Sequence, residues 1–360
     1  MLDGNAPAVL EINLDALAAN YARVCTEAAP ARIAAVLKAN AYGLGVRPVA
    51  LRLAAEGCAE FFVSSLAEGL ELRHVLPKAC VYVLEGGAGA AQDCRAAGLV
   101  PVLNTAAEVA EWMRAGSGAP AALQVDTGMT RAGLDPEEID VLQGHGDSNG
   151  FRPSLLITHL ACADEPKHPL NRLQIERFAA ISARFPGVPT SIGNSSGIWL
   201  GPEFRGDVVR PGLALYGGNP QCRAANPMQP VVRLTARVLQ LRVLRQPASI
   251  GYGATAACPA GSIIATVGAG YADGLPRALG NRGSAYLNGQ KVPIVGRVSM
   301  DLITLDVTAL GLNGCAVGDA AELLGPDVPL ETVADAAGTV VYEILTQLSE
   351  RLARRYIGAP

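Results

Sequence analysis

Residues 35–45 read AVLKANAYGLG: an apolar run that ends on a lysine, followed by small residues, a tyrosine and two glycines. A short run that is apolar on both faces suits a parallel strand covered by helices. Lys38 then stands at the C-terminal end of that strand. Working outward, eight such runs recur, separated by stretches rich in Ala, Leu, Glu and Arg with helical period: RIAAVLKAN (32–40), FFVSSL (61–66), VYVLEG (81–86), LVPVLN (99–104), AALQVDTG (121–128), LLITHLA (155–161), PTSIGNS (189–195) and VVRPGLALYG (208–217). Eight strand-helix units, in slightly fewer than the ~250 residues typical of the fold, predict a (β/α)8 barrel over residues 1–228. A doubly wound open sheet satisfies the same alternation and is the structural rival.

The pattern changes after about residue 228. RLTARVLQLRVL (233–244) alternates apolar and polar residues at period two, and turn residues follow at short intervals. The Asn-Gly of LNGQ (287–290) suits the tight turn of a hairpin. Residues 229–360 therefore form a second, β-rich domain, whose tail VVYEILTQLSERLARRY has partial helical character. The opening VLEINLD can pair with this domain as an extra strand.

Composition narrows the function. The 360 residues are half apolar, enough for a large core, and only 17 % are charged, with a net charge of −4. No basic stripe marks a nucleic-acid surface. No apolar run approaches the ~18 residues of a membrane span, and the acidic opening MLDGNAPAVLEINLD lacks the basic start of an export signal. Cysteines at 25, 58, 80, 94, 162, 222, 258 and 315 show no paired spacing. That pattern predicts reduced thiols in the cytoplasm and no metal site.

In a barrel the active site lies at the C-terminal ends of the strands. Lys38 stands there behind an apolar run, where desolvation lowers its pKa and makes the amine a nucleophile. Tyr42, Gly43 and Gly45 follow with a hydroxyl and a backbone that a phosphate can approach. Other strand ends are polar as well: VDTGMTRAG after the fifth, His159 after the sixth, Asn194 and Ser195 after the seventh, and Arg210-Pro211-Gly212 after the eighth. Singly, His159 reads as a core histidine, Ser195 as a helix cap and Arg210 as half of an ion pair. Together they occupy one rim, and the last two strand ends are where barrels commonly bind phosphate.

AVLKANAYGLG, QVDTGMTRAG, THLACAD, GNSSG, RPGLALYGG, GYGAT, GYADGLPR, GRVSMD and YEILTQLSERLARRY resemble, in order and spacing, the motifs of bacterial alanine racemases, from VLEINLDALAAN nearly to the last residue. The resemblance implies pyridoxal 5′-phosphate bonded to Lys38. It assigns the cofactor to Tyr42, His159, Asn194, Ser195, Arg210, Gly212, Leu213 and Tyr342. Arg210 faces the pyridine nitrogen and, because a guanidinium hardly ever exchanges its proton, keeps that nitrogen unprotonated. His159 helps orient Arg210.

The same resemblance makes Lys38 and Tyr252 the two proton-transfer groups, on opposite faces of the substrate. A tyrosine near pKa ~10 needs help to act as a base at neutral pH. Tyr252 belongs to the β domain and reaches the site from the partner subunit, so the implied active unit is a homodimer. Arg131 binds the substrate carboxylate from the barrel side, and Met300 contributes its backbone amide from the partner. Asp164, Tyr271, Arg277 and Arg297 line a narrow entrance. One position departs from the pattern. Many family members carry a carbamylated lysine seven residues before the arginine that corresponds to Arg131, and here that residue is Gln124. A glutamine oxygen can accept a hydrogen bond from Arg131 but brings no charge.

Three other functions share this scaffold. A broader racemase for serine or basic amino acids predicts a wider entrance. A non-enzymatic pyridoxal-phosphate-binding homeostasis protein shares the barrel and the lysine but lacks the second domain. A decarboxylase carries a carboxylate where Arg210 stands. Alanine racemase fits the whole set, whether the D-alanine is made for peptidoglycan or degraded.

Overall fold

The computed structural model describes residues 6–86, 89–115, 118–144, 151–221 and 225–358, so that Cys222 lies outside the described residues. Eight parallel strands build the first layer: β2 (Arg32–Val36), β3 (Glu60–Val63), β4 (Cys80–Val83), β5 (Val100–Leu103), β6 (Ala122–Gln124), β7 (Leu155–Ile157), β8 (Thr190–Ser191) and β9 (Val208–Val209). Each neighbours the next in sequence, and β9 returns to pair with β2. Two single bridges, Ser191 to Gly206 and Asn194 to Arg210, span the seam between β8 and β9. The ring thus closes into a barrel and is not an open sheet. Its walls hold because residues such as Ala34, Phe61, Phe62, Val81 and Leu123 are fully buried.

Local signals set where strands hand over to helices. Ser65 caps the helix Leu66–Val75 in a reciprocal box with Glu68, and Thr105 caps Ala106–Arg114. Asn13 accepts the Ala16 amide at 2.9 Å and starts the helix Leu14–Ala28, which packs on β2, on the helix Val46–Ala55 and on the turn at Gly197–Trp199.

The second layer is a sheet built on the long strand β10 (Val232–Val243). The opening strand β1 (Ala8–Asn13) runs antiparallel to it, with Leu10 opposite Leu234. β11 (Ala248–Ile250) and β12 (Ala256–Cys258) form a separate hairpin. β13 (Ile263–Val267) pairs with the second half of β10 and with β16 (Ile303–Asp306), while β17 (Ala320–Leu324) pairs with the first half. β14 (Ser284–Leu287) and β15 (Gln290–Pro293) make the expected Asn288-Gly289 hairpin, with both turn residues at positive φ. The tail has the partial helical character that its sequence suggests. It forms only the short helix Val341–Thr346 and then β18 (Ala353–Ile357), drawn in parallel onto the free edge of β1. Among the described residues no helix is long and apolar enough to cross a membrane, and no cluster of ligating side chains is arranged to hold a metal.

Candidate active site

A cavity of about 380 Å³ opens at the C-terminal rim of the barrel. Lys38, Tyr42, Gln124, Arg131, His159, Asn194, Ser195, Arg210, Gly212, Leu213 and Tyr342 all line it. Residues from five strand ends and from the C-terminal helix therefore meet in one place. Val36, Phe62 and Leu84 supply an apolar wall.

Lys38 leads directly into an unusual turn. Ala39, Asn40, Ala41 and Tyr42 take φ values of 52°, 54°, 53° and 54°, a left-handed run that costs roughly 1–2 kcal/mol for each non-glycine residue. The turn swings Tyr42 inward, where it is buried against Tyr216 and Tyr342 at ring separations of 4.8 and 5.9 Å. Burial, reinforced by the charge of Arg131, holds the Lys38 amine below its usual value, and Glu68 and Glu85 act in the opposite sense. Gly43 and Gly45 serve a different contact from the phosphate approach that the sequence suggested. A side chain on Gly43 would meet the Leu345 carbonyl at 2.6 Å, and one on Gly45 the Tyr356 hydroxyl at 2.2 Å. Both glycines let the turn lie against the C-terminal segment, which returns the contact through a 2.9 Å bond from Tyr356 to the Leu44 carbonyl.

Arg210 is 5 % exposed and is held from several directions. Nη1 donates to Ser191 Oγ at 2.5 Å, and Nη2 donates to the Thr158 carbonyl at 2.6 Å and to His159 Nδ1 at 3.2 Å. Among the described residues Nε makes no hydrogen bond. Burial pushes the guanidinium down to about 10, which still leaves it charged at neutral pH. His159 is pushed down to about 3, first by burial and then by Arg210, Arg131 and Lys38. It is neutral, with Nδ1 accepting and Nε2 carrying the proton. The Phe62 ring lies 5.9 Å from the Arg210 guanidinium carbon.

At the seam between β8 and β9 the amides of Gly212 and Ala214 converge on Ser195 Oγ at 3.0 and 3.1 Å. Gly212 leaves room for Tyr42, since a Cβ there would stand 2.4 Å from the Tyr42 hydroxyl. Tyr342 is pushed up to about 12 by burial and by Asp164. Tyr42 is raised further, again chiefly by burial, so both hydroxyls are protonated donors. Hydroxyls and amides around a small cradle, with an apolar wall and a buried arginine beyond it, suit a flat heterocycle that carries a phosphate arm.

Arg131 sits on a loop that Asp126 organises by accepting the amides of Gly128, Met129 and Thr130 at 2.8–2.9 Å. Gln124 lies below this loop, but its hydrogen bond differs from the expected one. Its amide nitrogen donates to the Ala132 carbonyl at 3.2 Å, and no hydrogen bond joins Gln124 to Arg131 among the described residues. The backbone pairing of Gln124 with Leu134 brings the Ala132 carbonyl within its reach, so the glutamine braces the loop beside Arg131 and leaves the guanidinium unbound.

The remaining candidates lie elsewhere. Asp164 lines a neighbouring cavity of about 820 Å³ that shares His159, Asn194, Leu213 and Tyr342 with the first. Tyr252, Tyr271, Arg277, Arg297 and Met300 occupy contiguous turns of the β domain and line neither cavity. Gly253 packs on the Arg297 guanidinium, Gly280 on the Arg297 backbone, and the Tyr271 amide donates to the Ser299 carbonyl at 3.0 Å. Tyr252 is 70 % exposed and Met300 53 %. Sequence reasoning missed Phe62 and Thr346 in the cavity wall, as well as Glu68. Phe62 looked like any strand residue, and Ser65-x-x-Glu68 signals only the start of a helix.

Comparison with known proteins finds relatives along nearly the whole chain. Residues 12–220 match the family model described as "Alanine racemase, N-terminal domain", and residues 231–356 match "Alanine racemase, C-terminal domain". The alanine racemase of Rhodospirillum rubrum is 50 % identical, over 99 % of this chain and 97 % of that one. The catabolic alanine racemase of Agrobacterium fabrum is 43 % identical, over 98 % and 93 %. The crystal structure of alanine racemase from Bartonella henselae, with covalently bound pyridoxal phosphate, superposes with a TM-score of 0.93 at 38 % identity, covering 98 % of this chain and all of that one. From its opening strand to its last, the chain belongs to the alanine racemase family.

Proposed function

We propose that the chain is an isomerase that interconverts L-alanine and D-alanine with pyridoxal 5′-phosphate as its cofactor. The observation that carries this reading is the pairing, in one cavity, of a lysine held below its usual pKa with a buried arginine that stays charged at neutral pH. Bound there, the cofactor supplies an electron sink for the pair left on the substrate Cα when its proton departs.

The protein's own groups divide the remaining work. Lys38 would hold the cofactor and, as a free amine, would take or return the proton on one face of Cα. Arg210, which stays charged at neutral pH, would lie beside the ring nitrogen and would not protonate it as a carboxylate would. The weaker electron sink would favour racemisation over decarboxylation. Neutral His159 accepts from Arg210 and fixes its orientation without adding a second charge. Tyr42, Tyr342, Ser195 and the amides of Gly212 and Leu213 would hold the phosphate, with Asn194 beside them. Arg131 takes the substrate carboxylate, on the loop that Gln124 braces.

Tyr252 supplies the second proton-transfer group and Met300 a backbone donor, both from a second copy of the chain. The support for a homodimer is their exposure on one contiguous patch, since large exposed aromatic and apolar side chains clustered on a surface mark an interface. Asp164, Tyr271, Arg277 and Arg297 would then rim a narrow entrance that admits a methyl side chain. A cytoplasmic location fits the seven described cysteines, all of them free.

The test is a visible spectrum combined with a chiral assay. The expected result is an absorbance band from lysine-bound cofactor, lost in Lys38→Ala, and interconversion of the two alanine enantiomers with no net loss of amino acid. Turnover of serine or lysine at rates matching alanine would favour the broader racemase.

A further inference from the structure

We propose that Glu68, which stands outside the cavity on the helix after the neighbouring strand, is the positioning residue for Lys38. Its carboxylate fastens the strained turn that carries the lysine. The inference rests on Lys38 as the cofactor-bearing residue.

Glu68 Oε1 accepts the Ala39 amide at 2.7 Å, and Oε2 accepts the Ser64 amide at 2.7 Å and the Ser65 amide at 3.4 Å. One side chain thus ties the residue immediately after Lys38 to the end of β3. Ser64 continues the link by donating its hydroxyl to Glu85, beyond the end of β4, at 2.7 Å. Three successive strand ends are joined behind the lysine.

A carboxylate suits this place for two reasons. Only an ionised carboxylate offers acceptors on both oxygens and no donor, so it can satisfy amides from two separate segments. It also occupies the third position of the helix Leu66–Val75, where the unpaired amides of a helix start favour negative charge. The need arises in the turn itself. Four left-handed non-glycine residues persist only if their surroundings over-determine them. Side-chain acceptors pin this turn at both ends, Glu68 on Ala39 and Asn40 on the Val46 amide at 2.7 Å. Glu68 also faces the Lys38 amine electrostatically. With Glu85 it opposes Arg131 across the cavity, while His159 is neutral.

Hydrogen–deuterium exchange of segment 36–45 and the rate of cofactor loss on dialysis, both measured on cofactor-loaded enzyme, test the assignment. Glu68→Ala should raise both by about tenfold or more, the usual worth of a charge-assisted hydrogen bond. Glu68→Gln keeps one acceptor but turns an NH2 group toward an amide, and should fall between wild type and Glu68→Ala. Ser65→Ala is the control: it removes the helix cap but leaves Glu68 in place, and both rates should stay near wild type. Unchanged exchange and retention in Glu68→Ala would overturn the proposal. So would equal losses in Ser65→Ala, because Glu68 would then merely start a helix. If wild type shows no lysine-bound band at all, the cofactor reading fails, and the exchange measurement still judges the hold of Glu68 on the turn.

Discussion

His159 makes acid stability a direct measure of the cavity's electrostatics. Burial and three nearby cations hold it down to about 3, whereas an unfolded imidazole titrates near 6.5. Below pH 6.5 the unfolded chain therefore binds a proton that the folded chain refuses. Stability is complete above that point and is lost as pH falls from 6.5 toward 3. Each pH unit in that window costs about 1.4 kcal/mol, so the histidine alone accounts for up to about 2 kcal/mol by about pH 5. His159→Gln preserves an acceptor for Arg210 but cannot titrate. Urea unfolding of both proteins, at one protein concentration and at about pH 7.5 and about pH 5, isolates the effect because every other titrating group is common to the pair. Wild type should lose up to about 2 kcal/mol more than His159→Gln on acidification. Equal losses would mean that His159 takes up its proton in the folded protein, and the account of a neutral histidine behind Arg210 would fall.

Tyr252→Phe should keep the cofactor yet lose most turnover, with substrate isotope effects that differ between the two alanine enantiomers. Mixing it with Lys38→Ala should restore activity, since a hybrid dimer regains one site with both groups; no recovery after verified subunit exchange would place each site within a single chain. Gln124→Ala should raise the KM for alanine with little change in kcat, by loosening the loop of Arg131, and added bicarbonate should leave wild-type rates unchanged, because glutamine forms no carbamate. Gly212→Ala should weaken cofactor retention by about 1–3 kcal/mol, the usual cost of overpacking, since its Cβ would stand 2.4 Å from the Tyr42 hydroxyl; retention equal to wild type in equilibrium dialysis would remove Gly212 from the phosphate cradle.

What the sequence revealed, and what it hid, follows from the range of the forces involved. The eight barrel strands were legible because apolarity on both faces is a local signal, and the barrel's own candidates, Lys38, Gln124, His159, Asn194, Ser195 and Arg210, share one rim because each stands at or near the end of such a run. Asn288-Gly289 was legible for the same reason: two residues suffice to specify the turn. The misreadings concern partners distant in sequence. Gly43 and Gly45 looked like a phosphate approach, and only the fold brings Leu345 and Tyr356 against them. The strand at Ala353–Ile357 forms because the edge of β1, more than 300 residues earlier, is free to receive it. Gln124 was paired with Arg131 through the family resemblance, whereas the chain reversal that brings Ala132 above it decides where its donor goes.

The cavity's charge explains why its pieces cohere. Lys38, Arg131 and Arg210 line one space of about 380 Å³, and no carboxylate lines it among the described residues. Burial, and after it the mutual repulsion of these cations, is why Lys38 and His159 are both held low. Arg210 is fixed by its bonds to Ser191, Thr158 and His159, and Arg131 stands on a loop whose backbone is folded around Asp126. The only cation able to shed its charge is Lys38, whose amine must be neutral to attack or to accept a proton. The nearest negative charges, Glu68 and Glu85, sit behind the lysine, where they moderate its shift without entering the space that an anion would occupy. In the proposed reading, a phosphate arm and a substrate carboxylate would supply the missing counter-charge. Burial and this surplus of positive charge together hold the lysine pKa below its usual value, and the same surplus favours the approach of anionic groups.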